Sequence, residues 1–170
     1  MSGQNNSTKL RSLRLLASND WPEVKKIYEE GIATGQATFE NQAPTWEHWD
    51  ANHHQFARIV ACVDDEIKGW GALSLVSTRK VYAGVAEVSV YVAATARGQG
   101  FGRQLLEALI VESHANGIWT LQASIFPENV ASLELHHRCG FREVGRRERI
   151  AQLNGAWRDT ILLERRNTLL

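Results

Sequence analysis

The chain has 170 residues, of which 44% are hydrophobic and 22% are charged, a mixture that suits one globular domain with its own core. Lysine plus arginine and aspartate plus glutamate number 19 each. The formal net charge is therefore zero, which argues against nucleic acid or an anionic membrane as a partner. The first residues lack the apolar run of a signal peptide, and no stretch is apolar for long enough to span a bilayer, so we expect a cytoplasmic protein.

The first half of the chain alternates between strand and helix patterns. Residues 1–9 are polar and are expected to form a disordered tail before a single domain over residues 10–166. Helix-start signals, turn residues and apolar spacing delimit the elements that follow. They are a strand over 10–16, a helix beginning at Asp20, a short helix capped by Thr45, and a hairpin of strands over 58–63 and 67–75.

The second half predicts two further strand–helix units and a closing hairpin. Residues 85–92 alternate, so that one face carries Ala86, Val88, Val90 and Val92 and the other carries Val85, Glu87, Ser89 and Tyr91. The remaining elements are a helix from Phe101 to about Asn116, a strand over 118–125, a helix capped by Asn129 with Ala131, Leu135 and Cys139 toward the core, and an antiparallel pair around Asn154-Gly155. This order predicts a mixed α/β domain.

A glycine-rich turn joins the strand over 85–92 to the helix at Phe101. It reads Arg97-Gly98-Gln99-Gly100-Phe101-Gly102-Arg103. Glycines allow close approach of the backbone to a ligand, and a helix start offers unpaired N–H groups and the positive end of a dipole. The turn lacks the spacing of a dinucleotide fingerprint or a P-loop. It therefore predicts a phosphate-binding cradle, and the alternative is a tight turn that binds nothing.

These residues resemble the GCN5-related N-acetyltransferase (GNAT) superfamily, whose pyrophosphate motif Q/R-x-x-G-x-G/A is matched by Arg97, Gly100 and Gly102. Within it, the chain is most similar to the phosphinothricin and methionine sulfoximine acetyltransferase group. That closer likeness rests on Thr38-Phe39-Glu40 with Pro44-Thr45-Trp46, on Glu87-Val88-Ser89-Val90-Tyr91-Val92, and on Asn129-Val130-Ala131-Ser132 followed by Leu135-His136 and Gly140-Phe141. The resemblance implies the GNAT acyl-CoA N-acyltransferase fold, a mostly antiparallel twisted sheet flanked by helices. It also implies a homodimer.

The resemblance implies acetyl-coenzyme A (acetyl-CoA) as co-substrate, in a V-shaped opening between the strands over 85–92 and 118–125. The backbone around Val90 and Val92 would pair with its pantetheine arm, and a backbone N–H would polarise the thioester carbonyl. The cofactor-binding residues expected on this basis are Val90, Tyr91, Val92, Arg97, Gly98, Gln99, Gly100, Phe101, Gly102, Arg103, Asn129 and Ser132.

Two residues are the catalytic candidates. Acetyl transfer requires an amine that has lost its proton, and Glu87 is the predicted base, directly or through water. The alternative is an ordinary solvent-facing glutamate on an alternating strand. His136 stands where many superfamily members have a tyrosine, and an imidazole can protonate the leaving thiolate or relay a proton from the amine. The alternative there is a structural histidine.

The acceptor pocket is expected to use the loop Thr38-Phe39-Glu40 together with Arg79, Tyr82 and Ser89. A guanidinium fork at Arg79 would suit an acceptor carboxylate. No metal is predicted, because the histidines occur as the adjacent pairs His53-His54 and His136-His137, and neighbouring residues point in different directions.

The predicted function is transfer of acetyl from acetyl-CoA to the primary amine of a small amino-acid-like acceptor of the phosphinothricin or methionine sulfoximine/sulfone type, by direct attack. Two alternatives remain open at this point. The same machinery could serve a polyamine or a protein amine, or the chain could be a non-catalytic acyl-CoA-binding module.

Overall fold

The fold is known from a computed structural model that describes residues 10–168, so the predicted tail over residues 1–9 lies outside the described part. The strands are β1 (Arg11–Leu15), β2 (Ile59–Val63), β3 (Glu66–Leu75), β4 (Val85–Val92), β5 (Thr120–Ile125), β6 (Arg142–Leu153) and β7 (Ala156–Arg166). The helices are α1 (Trp21–Ala33), α2 (Trp46–Asn52), α3 (Phe101–Ala115) and α4 (Val130–Arg138). Within residues 10–168, none of these helices combines the length and apolar character needed to traverse a lipid bilayer.

The seven strands form one sheet in the order β1-β2-β3-β4-β5-β7-β6. Every neighbouring pair is antiparallel except β4 and β5, which run parallel. The predicted hairpins are confirmed, since β2–β3 turns at Asp64-Asp65 and β6–β7 turns at Asn154-Gly155, all with positive φ. The mixed, mostly antiparallel sheet expected from the resemblance is therefore the observed one.

The parallel pair at the centre of the sheet is short. β4 pairs with β3 as far as Val92, but it pairs with β5 only from Val85↔Thr120 to Glu87↔Gln122. Beyond that last pair the two strands diverge, which leaves one backbone edge of β4 without a strand partner. The predicted V-shaped opening is thus present.

Helices cover both faces of this sheet. α3 packs closely on β3 because Gly69 and Gly71 lack side chains: a Cβ at either would lie 3.0 Å from the tips of Leu105 and Leu109. On the opposite face α1 presents Tyr28, which meets the buried Trp70 edge-on at 5.5 Å between ring centroids. The side chains of Glu87, Ser89 and Tyr91 point to the α1 side, in register with alternate residues of β3.

The helix start predicted at Asp20 is confirmed in position, although the side chain does not cap the helix, and one prediction for α4 was wrong. Asp20 stands at the N-cap of α1, but its carboxylate pairs with Arg14 at 2.7 Å and accepts from the Ala17 amide instead of capping the helix. In α4 the expected core position Ala131 is exposed, whereas His136 is the buried residue, at 5% exposure. The reason is that α4 packs its His136 side against Phe141, with the two rings edge-on at 5.0 Å.

Candidate active site

A cavity of about 810 Å³ opens where β4 and β5 separate. Its lining includes Val88 and Val90 from one face of β4 and Glu87, Ser89 and Tyr91 from the other. Consecutive residues of a strand line one cavity where the space runs alongside the strand edge. The divergence of β4 and β5 exposes that edge, so the cavity runs along β4.

The cavity brings together half of the predicted site residues. Those that line it are Thr38, Phe39, Glu40, Glu87, Ser89, Val90, Tyr91, Asn129, Ser132 and His136. Val92 and the glycine-rich turn, residues 97–103, lie outside this lining at the carboxyl end of β4. Arg79 and Tyr82 also lie outside it.

Glu87 occupies the point at which the two strands part. Its carboxylate oxygen Oε2 accepts a hydrogen bond from the Gln122 amide, with Nε2 and Oε2 3.2 Å apart. Glu87 is half-buried, and no ion pair with it is found within residues 10–168. The carboxylate is therefore oriented by a neutral donor, which leaves its charge available to an acceptor in the cavity.

His136 reaches the cavity from the last turn of α4. Its Nδ1 lies 2.8 Å from the Ser132 carbonyl oxygen, which can only accept, so Nδ1 carries the proton. Nε2 is buried and has no hydrogen-bond partner. Burial lowers the pKa of this imidazole, partly offset by the bond to Ser132. At neutral pH, His136 therefore presents an unprotonated Nε2 lone pair.

The glycine-rich turn has the backbone that a phosphate site requires. Gly98 and Gly100 adopt φ of +73° and +89°, and a Cβ at either would meet no atom within 4 Å. Gly100 is the N-cap of α3 and supplies no side-chain cap, so N–H groups of the first turn remain available to an anion. Arg103 pairs with Glu107 at 2.7 Å, whereas Arg97 is exposed.

The far wall of the cavity is the connection between α1 and α2, residues 34–45. Phe39 packs edge-on against Phe126 with centroids 4.8 Å apart, and the Asn129 side chain donates to the Gln36 carbonyl at 3.2 Å. Asn129 also caps α4, because its Oδ1 accepts from the Ser132 amide. These contacts tie the loop that carries Thr38, Phe39 and Glu40 to the segment after β5.

Arg79 and Tyr82 lie on the connection between β3 and β4, beside a single 3-10 turn over Lys80–Tyr82. Both are exposed, and the Arg79 guanidinium lies 5.5 Å from the Tyr82 ring centroid. They contact each other rather than the cavity, so their predicted role toward the acceptor gains no support from the geometry.

Several polar cavity residues were not predicted from the sequence, among them His53 and Ser74. His53 forms an isolated bridge with Ser74, which is paired in turn with Glu87, so that the three lie in a row across the sheet. His53 stacks on Trp49 with centroids 4.2 Å apart, and its Nδ1 donates to the Trp49 carbonyl. Burial is the main cause that lowers the pKa of His53 to about 4. Tertiary pairing alone creates this row, and the sequence gives no sign of it.

Metal-type clusters of three or more His, Cys, Asp or Glu side chains do not occur within residues 10–168. The expectation that the reaction needs no metal remains a prediction.

Comparisons with known proteins agree on one family. The model of the acetyltransferase (GNAT) family matches residues 16–141. Phosphinothricin N-acetyltransferase of Alcaligenes faecalis is 32% identical over 160 residues, which cover 91% of this chain and 81% of that protein. L-methionine sulfoximine/L-methionine sulfone acetyltransferase of Pseudomonas paraeruginosa is 31% identical over 160 residues, covering 90% and 92%. A crystal structure of a phosphinothricin acetyltransferase from Sinorhizobium meliloti with acetyl-CoA superposes with a TM-score of 0.83 at 27% identity, covering 92% of this chain and 88% of that one.

Proposed function

This chain belongs to the acetyltransferase (GNAT) family and is an acetyl-CoA-dependent N-acetyltransferase, and we propose that its acceptor is the primary amine of a small amino-acid-like molecule. The phosphinothricin and methionine sulfoximine or sulfone type is the acceptor class named for its relatives. The amine attacks the thioester directly, without an acyl-enzyme stage.

The observation that carries this proposal is the single cavity that joins Glu87 to the free edge of β4. Its volume, about 810 Å³, is in the range of small-molecule sites. The wall formed by residues 34–45 and α2 bounds the side on which Glu87 and Ser89 lie. A wall at that position favours a compact acceptor over an extended peptide.

The chain's own residues fit acetyl-CoA. The left-handed glycines Gly98 and Gly100 and the uncapped start of α3 suit a pyrophosphate, with Arg97 nearby. The unpaired edge of β4, which includes Val90 and Val92, offers backbone donors and acceptors to an extended pantetheine arm. Acetyl-CoA supplies the acetyl group as a thioester, from which the acceptor amine takes it as a C–N bond forms and the C–S bond breaks.

Glu87 is the proposed base. The α-ammonium of a peptide has a pKa of about 8, and the ionised carboxylate of a free amino acid raises the pKa of its ammonium further. The acceptor is therefore mostly protonated at neutral pH and must lose a proton before it can attack. A carboxylate that is held by Gln122 and faces the cavity can take that proton directly or through a water molecule.

His136 is the proposed relay to the leaving group. Its Nδ1–H is engaged with Ser132, so only Nε2 can exchange protons with the cavity. Glu87 takes the first proton, from the ammonium, and the attacking nitrogen releases a second as the C–N bond forms. A neutral imidazole can accept this second proton at Nε2 and return it to the departing thiolate, so the protons balance. Because Nε2 carries no proton at the start, this tautomer favours His136 as a proton relay and not as an acid that is protonated from the outset.

A thiol-release assay over a panel of amines tests the proposal. The panel contains phosphinothricin, methionine sulfone, methionine sulfoximine, common amino acids, spermidine and a peptide with a free N-terminus. We expect kcat/KM for the amino-acid analogues to exceed that for spermidine and the peptide. Preference for the polyamine or peptide would reassign the acceptor, and coenzyme A binding with no turnover of any amine would indicate a non-catalytic module.

A cytoplasmic homodimer is part of the same proposal. Exposed apolar side chains on and beside the β3–β4 connection support self-association: Leu75, Val76, Val81 and Tyr82 are 57%, 39%, 66% and 45% exposed. Sedimentation of the full chain at micromolar concentration tests for the homodimer. Observation of monomer alone would contradict this part of the proposal.

A further inference from the structure

A polar row runs along β5 on the same face as Glu87. Gln122 and Ser124 alternate with the buried residues Leu121, Ala123 and Ile125, so both point to the Glu87 side of the sheet. Gln122 holds Glu87, and Ser124 lines the cavity one step further on, about 7 Å along the strand. A group that binds at Ser124 therefore lies a short distance from the proposed base.

Arg147 reaches this row from β6; it is not itself among the residues that line the cavity and meets that lining through Ser124. It is paired with Thr160 of β7, which is buried on the same face of the sheet as Ser124. One terminal nitrogen, Nη2, donates to the Ser124 hydroxyl at 2.6 Å. The Nε–H is buried and has no hydrogen-bond partner.

The charge of Arg147 is not balanced by any carboxylate within residues 10–168. Its neighbours differ, since Arg146 pairs with Asp159 at 2.6 Å and Arg158 with Glu128 at 3.2 Å. An orphaned buried donor on a guanidinium gains a hydrogen bond when an acceptor binds, and the unpaired positive charge favours an anion as that acceptor. The planar fork of arginine, with two parallel donors, fits a carboxylate.

We propose that Arg147 binds the α-carboxylate of the acceptor and so selects α-amino acids and their analogues. This inference rests on the proposed function, because it assumes that the acceptor amine lies at Glu87. In an α-amino acid the carboxylate is one carbon from the amine, which suits the short span from Glu87 past Gln122 to Ser124. Arg147 thereby takes the role that the sequence suggested for Arg79.

The test compares methionine sulfone with its carboxamide, which keeps the amine and side chain but loses the negative charge. In wild type we expect kcat/KM to favour the acid. In Arg147→Gln the acid-to-amide ratio should fall by about 10- to 100-fold, the range of a charge-assisted hydrogen bond, because kcat/KM for the amide falls much less than kcat/KM for the acid. Arg147→Lys should retain part of the preference, since it keeps the charge without the fork.

Two controls make the result specific. Arg149→Gln removes an exposed arginine from the same strand and should leave the ratio at the wild-type value. Comparing ratios between variants cancels the different basicities of the two amines, and retained turnover of the amide shows that each variant is folded.

The outcomes separate this inference from the proposed function. Equal use of acid and amide by wild type, or an unchanged ratio in Arg147→Gln, would overturn the role of Arg147 while acetylation of amino acids stands. Equal loss for both compounds would assign Arg147 a structural role and also overturn it. Failure of wild type to acetylate any α-amino acid would overturn both proposals.

Discussion

Glu87 and Gln122 face each other across the last pair of the β4–β5 ladder, and the Gln122 amide donates to the Glu87 carboxylate at 3.2 Å. The same pair marks where the strands part. The candidate base is thus fixed by the last rung of the parallel ladder, and the cavity begins directly beyond it.

Replacement of that carboxylate tests its role. Glu87→Gln should lower kcat/KM for the amine by about 10²- to 10⁴-fold, the usual contribution of a positioned base, and leave acetyl-CoA affinity unchanged. The deficit should narrow as the pH rises toward the pKa of the acceptor amine, because more of the substrate then arrives unprotonated. Steady-state kinetics across pH measure this, with Glu143→Gln, an exposed glutamate of β6, as the control. A variant with wild-type rates at neutral pH would exclude Glu87 as the base.

His136 gives a second, independent pH signature. Burial lowers the pKa of its imidazole below the ordinary value of 6.5, so its Nε2 lone pair is present at neutral pH and is lost only as the pH falls below 6.5. We expect kcat of wild type to decline on that acidic side. His136→Gln, whose amide cannot titrate in this range, should have a lower kcat, and that kcat should not show the decline at acidic pH. His137→Gln changes the adjacent exposed residue and should behave as wild type; identical profiles for all three proteins would contradict the relay.

The glycine-rich turn is tested by two substitutions with matched backbone strain. Gly100 and Gly117 flank the two ends of α3 with φ of +89° and +75°, and a Cβ at either meets no atom within 4 Å. Alanine at either position should cost about 1–2 kcal/mol of unfolding free energy from the left-handed conformation. Only Gly100→Ala should weaken acetyl-CoA binding, by about tenfold or more, because its methyl group projects where a phosphate approaches. Calorimetric titration of both variants with acetyl-CoA measures the two affinities. Equal affinities would argue against the turn as the pyrophosphate site.

His53 predicts a pH-dependent stability. Its pKa is lowered from 6.5 to about 4 in the folded protein, chiefly by burial, so the unfolded chain binds more protons between those values. The free energy of unfolding should therefore fall as the pH drops from 6.5 toward 4, with at most about 3 kcal/mol from this residue. Denaturant unfolding at several pH values measures the slope, and His53→Gln should flatten it. An equal slope in wild type and variant would contradict the assignment.

The sequence predicted the elements whose signals are local. Alternation from Val85 to Val92, the Asn154-Gly155 turn and the Thr45 cap each act over a few residues, and all three appear in the structure. The glycine-rich turn was also identifiable, because positive φ at Gly98 and Gly100 is a property of the residue type. By contrast, helical spacing in α4 pointed to Ala131 as a core residue, since the pattern is too short to define which side would be packed against Phe141.

By itself, the sequence determined the family, the order of strands and helices, and the residues at which acetyl-CoA and a base are expected, because these depend on short motifs. Only the tertiary structure decided that the β4–β5 ladder stops at Gln122 and that Nε2 of His136 is the free nitrogen. It also decided that Arg147 donates to Ser124 of the cavity wall, whereas Arg79 lies against Tyr82. The physical reason is that these features join residues far apart in the chain. Strand pairing and burial, which no local pattern encodes, bring them together.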